Sequence, residues 1–205
     1  MTPHLTTPGL VSIRAITNAG TPGELDGFEA NGSVSEAFNL MTWIGANRDK
    51  MVPPVGNKYL YSGRDFFVMI IAGPNARNDF HQVDSEEFFI QLKGDIAVKT
   101  IQDGKVHTHP IKEGEVFFIP ANVPHSPQRG PNTLGLVVER CRPEGEAEHL
   151  IFFCEHCNTM VYDKVFDCKN IVTHFAAEME AFWADEKLST CACCGTRILK
   201  PIPKY

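Results

Sequence analysis

The chain has no apolar run approaching the ~20 residues that span a bilayer, and it has no block of basic residues. Its net charge of −6 is spread along 205 residues. Together these features argue against a spanning helix, and against nucleic acid or an anionic membrane surface as a partner. The opening residues MTPHLTTPG lack both a basic start and an apolar core, so no signal peptide is expected and the cytoplasm is the expected location. The length falls short of two ordinary domains, which leaves one core with a small appendage.

Cysteine is not scarce. Of seven, four form two C-x-x-C pairs, Cys154 with Cys157 and Cys191 with Cys194, separated by 33 residues. In a cytosolic chain such pairs point to metal rather than to disulfides, and this spacing suits a tetrahedral four-thiolate site. Fe and Zn both accept that geometry, with Zn the physical default. Gly195 follows the second pair and lets backbone N–H groups turn toward a sulfur. Cys141, Cys168 and Cys193 are left over and read as buried or incidental thiols, Cys193 being the one rival ligand within its pair.

Residues 1–32 are rich in Gly, Thr, Pro and Asn and read as a flexible leader, or as an arm that pairs with a sheet edge or another subunit. Their one alternating run is Leu10 to Thr17. Ser33 followed by Glu36 has the form of a capping box, and Phe38, Leu40, Met41 and Ile44 recur at helical spacing, predicting a helix over 35–49 stopped by Pro53 and Pro54. Short apolar runs between turn residues then follow: KYLY, DFFVMIIAG, EEFFIQLKG, IAVKTIQDGK, GEVFFIP and TLGLVVER. Such spacing predicts an antiparallel sandwich or small barrel over 33–150. KVHTHP reads as a turn-rich link with His107 and His109 exposed. Residues 151–205 read as a metal-stapled tail with one helix near 174–187, where Phe175, Met179 and Phe182 keep helical spacing.

The stretch RNDFHQVDSEEFFIQLKG, from Arg77 to Gly94, carries the first candidate site. Residues two apart in a strand share a face, so Arg77, Asp79 and His81 point one way, and Glu87 is expected on the partner strand after the turn QVDSE. GEVFFIPANVPHSPQR, from Gly114 to Arg129, offers His125 as a third ligand. Two histidines and one carboxylate suit non-haem Fe(II) and leave coordination positions open. Each histidine has an arginine four residues away, about 13 Å along a strand. Leaning back, Arg77 and Arg129 would leave a gap for a small aromatic ring with its carboxylate against the guanidinium groups.

These segments resemble the two motifs of the cupin family, Gly-x5-His-x-His with a downstream Glu-x6-Gly, then Gly-x5-Pro-x-Gly-x2-His. Asp79 stands where the usual first histidine would be, and Asn122 replaces the inner glycine of the second motif. Within cupins, VPPVGNK, the segment from Gly73 to His81, EEFFIQLKG, HSPQR and VVERCRP resemble the 3-hydroxyanthranilate 3,4-dioxygenase family. The resemblance implies a mainly β fold: a cupin double-stranded β-helix (jelly-roll barrel) with flanking helices and a small rubredoxin-like tail that binds metal through four cysteines. It implies that His81, Glu87 and His125 carry a catalytic Fe(II), that Arg77 and Arg129 hold the substrate carboxylate, and that Glu139 sits beside the substrate's amino and hydroxyl groups. The alternative for Glu139 is a surface ion pair with Arg140 or Arg142. The implied reaction takes 3-hydroxyanthranilate and dioxygen to 2-amino-3-carboxymuconate semialdehyde, which cyclises to quinolinate. A homodimer is expected, with Fe or Zn at the four cysteines acting as a structural staple. The rivals are a dioxygenase for another aminophenol, and a metal-binding cupin isomerase or ligand-binding protein, for which two carboxylate clamps have less use.

Overall fold

The computed structural model describes residues 28–29, 34, 36–168 and 170–203. The run from Leu10 to Thr17 and the Ser33 of the expected capping box lie outside them. Among the described residues, twelve strands build two six-stranded sheets. The first runs β1 (Phe28–Glu29), β2 (Asn57–Ser62), β3 (Phe66–Ala72), β10 (Leu134–Arg140), β5 (Glu87–Lys93), β8 (Val116–Ile119). The second runs β12 (Met160–Phe166), β11 (Glu148–Phe153), β4 (Asp79–Gln82), β9 (His125–Arg129), β6 (Ile96–Gln102), β7 (Lys105–Ile111). Apart from the parallel pair β1 and β2, the ladders are antiparallel. This is the antiparallel two-sheet arrangement that the short alternating strands predict, and the cupin jelly roll that the resemblance implies.

Strand alternation builds the interior. Along β5, Glu87, Phe89 and Gln91 are buried while their neighbours within the strand up to Leu92 are half-buried, so one face of a single strand carries a candidate ligand, an aromatic ring and an amide. The main core joins Met69, Ile71, Phe89, Val98, Val137, Leu150 and Phe152 to the face of α2 (Ile171–Ala184) that carries Phe175, Met179 and Phe182. Phe182 stacks on Phe152 at 3.8 Å between centroids. A second cluster lies where α1 (Leu40–Asn47) sets Ile44 with Leu60, Ile70 and Leu134.

Several local expectations shift. The first helix begins at Leu40, not near residue 35. Asn39 caps it by accepting from the Thr42 amide at 2.9 Å, and Phe38, expected inside the helix, precedes it. KVHTHP is not a link but part of β7, where a Pro is tolerated because β7 is an edge strand. His107 is exposed as expected, whereas His109 is half-buried against Phe117 and bonds Thr100 Oγ1 at 2.9 Å. β1, β11 and β12 were not among the expected strands either. Residues 150 and 151 both lie inside β11, so the chain passes from barrel to tail without leaving the sheet. The tail helix starts at Ile171, capped by Asn170, and ends at Ala184.

Candidate active site

The turn after β4 does not close a hairpin. β4 belongs to one sheet and β5 to the other, so Glu87 reaches His81 across the barrel rather than from a neighbouring strand. His81 and His125 face each other in register on β4 and β9. Glu139 faces Glu87 in register on β10 and β5. Two facing sheets thus each contribute one pair of functional residues. The two motifs lock together through Asn75, whose side chain donates to the Pro127 carbonyl at 2.8 Å and accepts from the Arg129 amide at 2.9 Å.

The three candidate ligands are buried, and their ligand atoms lie within 4.8 Å of one another. Glu87 Oε1 stands 3.3 Å from both His81 Nδ1 and His125 Nε2, and it has no hydrogen-bond partner. The ring nitrogens on the far sides are engaged. His125 Nδ1 lies 3.0 Å from the Val123 carbonyl, and His81 Nε2 lies 2.6 Å from Glu148 Oε2. Donating there leaves each ring a lone pair aimed at the common point. An orphaned buried carboxylate oxygen between two such nitrogens fits a divalent cation. Burial opposes ionisation of Glu87, yet the charge and hydrogen bonds that His125 and His81 supply when their rings are protonated and no metal is present outweigh it and hold the carboxyl well below its usual range.

Arg77, Val55, Met69, Phe89, Glu139 and Phe175 are among the residues that line the cavity around this point. Asp79, at the position of the missing cupin histidine, is fully buried and grips Arg77 through two bonds, Nε to Oδ1 at 3.0 Å and Nη2 to Oδ2 at 2.6 Å. It therefore serves the arginine and not the ligand cluster. Asn122, at the missing glycine, adopts φ 63°, a left-handed conformation that Asn tolerates, and its side chain donates to Asp84.

Arg129 does not line the cavity. It is buried behind it, with Nη1 donating to Gln91 Oε1 at 3.1 Å and Nε unpaired. Burial, with the nearby charge of Arg77, pushes its pKa down to about 10. Among the described residues no carboxylate pairs with it, which leaves a buried cation suited to an incoming anion. Gln91 is held in turn by donating to the Lys93 and Gly94 carbonyls. A Cβ on Gly135 would meet both terminal nitrogens of Arg129 at 2.7 Å, so a glycine at this point of the strand lets the guanidinium lie flat. Sequence reasoning missed Gln91 and Gly135. The period-two pattern from Glu87 and a glycine inside TLGLVVER were the signals that could have found them.

Glu139 is buried and paired with Arg142 at 2.7 Å, so its ion pair is internal rather than on the surface. Burial first, then the charge of Glu87, pushes its carboxyl up to about 7 against the pull of Arg142.

The four paired cysteines converge as two similar knuckles. Sγ of Cys154 lies 3.5 Å from that of Cys194, and Sγ of Cys157 lies 3.6 Å from that of Cys191. In the first, the Cys154 amide donates to the Thr159 carbonyl and the Asn158 amide to the Cys154 carbonyl; in the second, Cys191, Thr196 and Gly195 repeat the pattern. Asn158 at φ 60° does in the first knuckle what Gly195 does in the second. Hydrogen bonding with Thr196 brings the Cys194 thiol down to about 5 and that with Thr159 lowers Cys157, whereas Cys154, against the pull of the Cys157 amide, is pushed up to about 11 by burial and by its bonds to the neighbouring sulfurs. Cys193 is exposed and stands outside the cluster. Of the other two, Cys168 is buried and Cys141 is half-buried, its thiol against the Gly63 carbonyl.

Because the knuckles tie the end of β11 to the segment after α2, Cys154→Ser or Cys191→Ser is expected to lower stability while leaving catalysis in the folded fraction. At about 2–4 °C per kcal/mol for a chain of this size, losing a few kcal/mol of metal-coupled folding energy lowers Tm by about 10 °C. Calorimetry and a rate normalised to folded protein check this. A stable variant without turnover would instead favour electron transfer through the site.

The family profile described as 3-hydroxyanthranilic acid dioxygenase matches residues 33–183. The 3-hydroxyanthranilate 3,4-dioxygenase of Shewanella woodyi is 42% identical over 160 residues, which cover 78% of this chain and 85% of that protein. That of Xanthomonas oryzae pv. oryzae is 41% identical over 167 residues, covering 82% and 93% respectively. Among solved structures, a cupin-2 domain containing protein from Shewanella frigidimarina is 15% identical, covers 48% of this chain and 92% of its own, and superposes with a TM-score of 0.40. With the profile spanning most of the sequence and relatives this similar over most of their length, the chain belongs to the 3-hydroxyanthranilic acid dioxygenase family.

Proposed function

We propose that the protein is an Fe(II)-dependent extradiol dioxygenase that converts 3-hydroxyanthranilate and dioxygen to 2-amino-3-carboxymuconate semialdehyde, with His81, Glu87 and His125 holding the iron. The observation that carries this reading is the orphaned Glu87 oxygen between two imidazole nitrogens, in a cavity that Arg77 and Glu139 also line. The similar proteins from Shewanella woodyi and Xanthomonas oryzae carry that activity in their names. Held by His81, Glu87 and His125, Fe(II) would supply a site at which an ortho-aminophenol and dioxygen could be brought together and exchange charge.

The protein's own groups supply the rest. Arg77, aimed by Asp79, meets the ring carboxylate at the cavity wall, and Arg129, aimed by Gln91, reaches it from behind that wall; together they fix which ring edge meets the metal. Met69, Ile71, Phe89, Val137 and Phe175 enclose the ring and exclude water. Glu139, with its carboxyl near 7, takes the substrate hydroxyl proton at a carboxylate oxygen and can return it. The test is anaerobic loading with Fe(II), addition of 3-hydroxyanthranilate, then air, watching for a ring-opened absorbing product that decays on cyclisation. No such species, with turnover of a differently substituted aminophenol, would transfer the assignment to that substrate.

Gly135→Ala tests the role of Arg129 gently. The clash falls on the flexible end of a side chain, so stability should change little, but the guanidinium must move. With one charged hydrogen bond weakened, at about 1.5 kcal/mol, KM for 3-hydroxyanthranilate should rise about tenfold. An unchanged KM would show that Arg129 does not reach the substrate.

Fe or Zn is the occupant proposed for the four cysteines, in the role of a staple. A homodimer is supported by an uncovered apolar strip on the first sheet, where Phe118 is 66% and Phe66 46% exposed and Phe88 stacks on Phe118. Sedimentation at the mass of a single chain would remove it. A reducing, cytoplasmic setting suits seven cysteines that are all free thiols, and disulfides in protein isolated from cells would count against it. No helix of the described residues is long and apolar enough to cross a membrane.

A further inference from the structure

Four buried side chains form an unbroken chain behind the catalytic cavity. His81 Nε2 lies 2.6 Å from Glu148 Oε2, and Arg142 Nε donates to Glu148 Oε1 at 2.7 Å. Arg142 Nη2 donates to Glu139 Oε2 at 2.7 Å, and Nη1 donates to the Arg140 carbonyl at 2.8 Å. Each side chain is at most 7% exposed. Arg142 also sits over the Phe67 ring, 5.2 Å from its centroid, which leaves the guanidinium plane little freedom.

Burying two carboxylates and a guanidinium is costly, and well-packed apolar residues would stabilise a core at least as well. The arrangement is therefore unlike a simple packing solution, and its two ends explain it. One end is a candidate metal ligand, the other a cavity-lining carboxylate. Because His81 turns Nδ1 toward Glu87, the Nε2–H must be held elsewhere, and Glu148 is the acceptor that holds it. Because a guanidinium is planar and rigid, its Nε and Nη2 edges set the angle between the two carboxylates they grip. Turning the His81 ring thus means turning Glu148, then Arg142, then Glu139.

We propose that Glu148 and Arg142 are positioning residues that couple the orientation of the His81 ligand to that of the Glu139 carboxylate, an inference that rests on the triad and on Glu139 acting as described above. Neither lines the catalytic cavity. Glu148 acts on the metal through His81. Arg142 acts on the substrate through Glu139.

The two links separate by measurement. Fe(II) affinity is read without substrate, by competition with a chromophoric chelator, and kcat and KM are read on 3-hydroxyanthranilate with saturating Fe(II). Glu148→Gln cannot accept from both His81 and Arg142, so its Fe(II) affinity should fall about 10- to 100-fold, with kcat reduced as well. Arg142→Met keeps the bond from Glu148 to His81, so Fe(II) affinity should stay within about threefold while kcat falls about 10- to 100-fold, the lower part of the range for a misplaced proton-transfer group, with KM changed less. If Arg142→Met fails to fold, judged by loss of the cysteine-bound metal, Arg142→Lys serves in its place. An ammonium keeps the charge but cannot grip both carboxylates in the same fork, so kcat should still fall with Fe(II) affinity preserved. Wild-type Fe(II) affinity in Glu148→Gln, or wild-type kcat in Arg142→Lys, overturns the coupling. Failure of the unaltered protein to cleave 3-hydroxyanthranilate would instead sink the substrate assignment, and the chelator measurement, which contains no substrate, would still decide the Glu148 link.

Discussion

Replacing His81, Glu87 or His125 by Ala is expected to abolish ring cleavage and to remove the metal proposed there while leaving any metal held by the four cysteines in place. The three side chains share no atom with the four-thiolate cluster, and the two groups of ligands are separate. Each of the three supplies one ligand atom, so a single loss leaves two ligands for an ion that must also keep positions free for its reactants. Turnover should fall to background, a loss of at least ~1,000-fold if oriented, metal-assisted chemistry supplies the acceleration. Metal analysis of each variant after dialysis should find only the cysteine-bound ion. Glu87→Ala also tests the electrostatics. With the carboxylate gone, the two histidines lose the anion that Oε1 now turns toward both of them. Full turnover in any of the three variants would mean that the ligand assignment is wrong.

That His81, Glu87 and His125 converge was legible in the sequence because of their spacing. His81, Glu87 and His125 sit in segments whose glycines and prolines punctuate the strands at fixed offsets, and Gly94 takes the left-handed turn, at φ 67°, that its place after Glu-x6 implies. What could not be read is how the strands pair. QVDSE looks like a hairpin turn because local sequence cannot say that the chain is changing sheets, and only the sheet order shows that Glu87 approaches from the opposite wall. The same limit hid the supporting contacts made between distant segments. Glu148 meets His81 across 67 residues, and Gln91 meets Arg129 across 38. Such partners are set by tertiary packing, not by periodicity.

The local misreadings have local causes. The Ser33 and Glu36 pattern suggests an early helix start, but Asn39 offers a cap directly before Leu40, and the described residues ahead of it are not helical. KVHTHP looks like a turn because it shows no apolar alternation and ends in Pro, a poor strand signal, yet β7 is an edge strand with only β6 beside it and tolerates both. β12 is invisible in the sequence for a similar reason: at the other edge, its side chains are half-buried or exposed, so it shows little apolar alternation. The tail helix is legible because Phe175, Met179 and Phe182 are buried together. It starts three residues earlier than their spacing indicates because Asn170 caps it.

Arg129→Ala is expected to weaken 3-hydroxyanthranilate by about 1.5–3 kcal/mol, the range for a hydrogen bond to a charged group, and to lower kcat as well. Arg129 is a buried cation with an unpaired Nε and a second guanidinium nearby, and its one side-chain partner is the neutral amide of Gln91. The two arginines differ in what holds them. Arg77 is already neutralised by Asp79 through two bonds, so its charge is largely committed. Arg129 is not, and a substrate carboxylate has more to gain there. Because the same carboxylate orients the ring, its loss should cost turnover too, since a misplacement near 1 Å can cost ~100-fold. A 2-aminophenol without the carboxylate should bind the unaltered protein poorly and be nearly indifferent to the substitution. The informative quantity is thus a double difference, substrate with and without carboxylate against protein with and without the arginine. A coupling of about 1.5 kcal/mol or more would place the carboxylate against Arg129. Equal losses for both substrates would mean that Arg129 props the sheet through Gln91, leaving Arg77, which lines the cavity, as the sole carboxylate anchor.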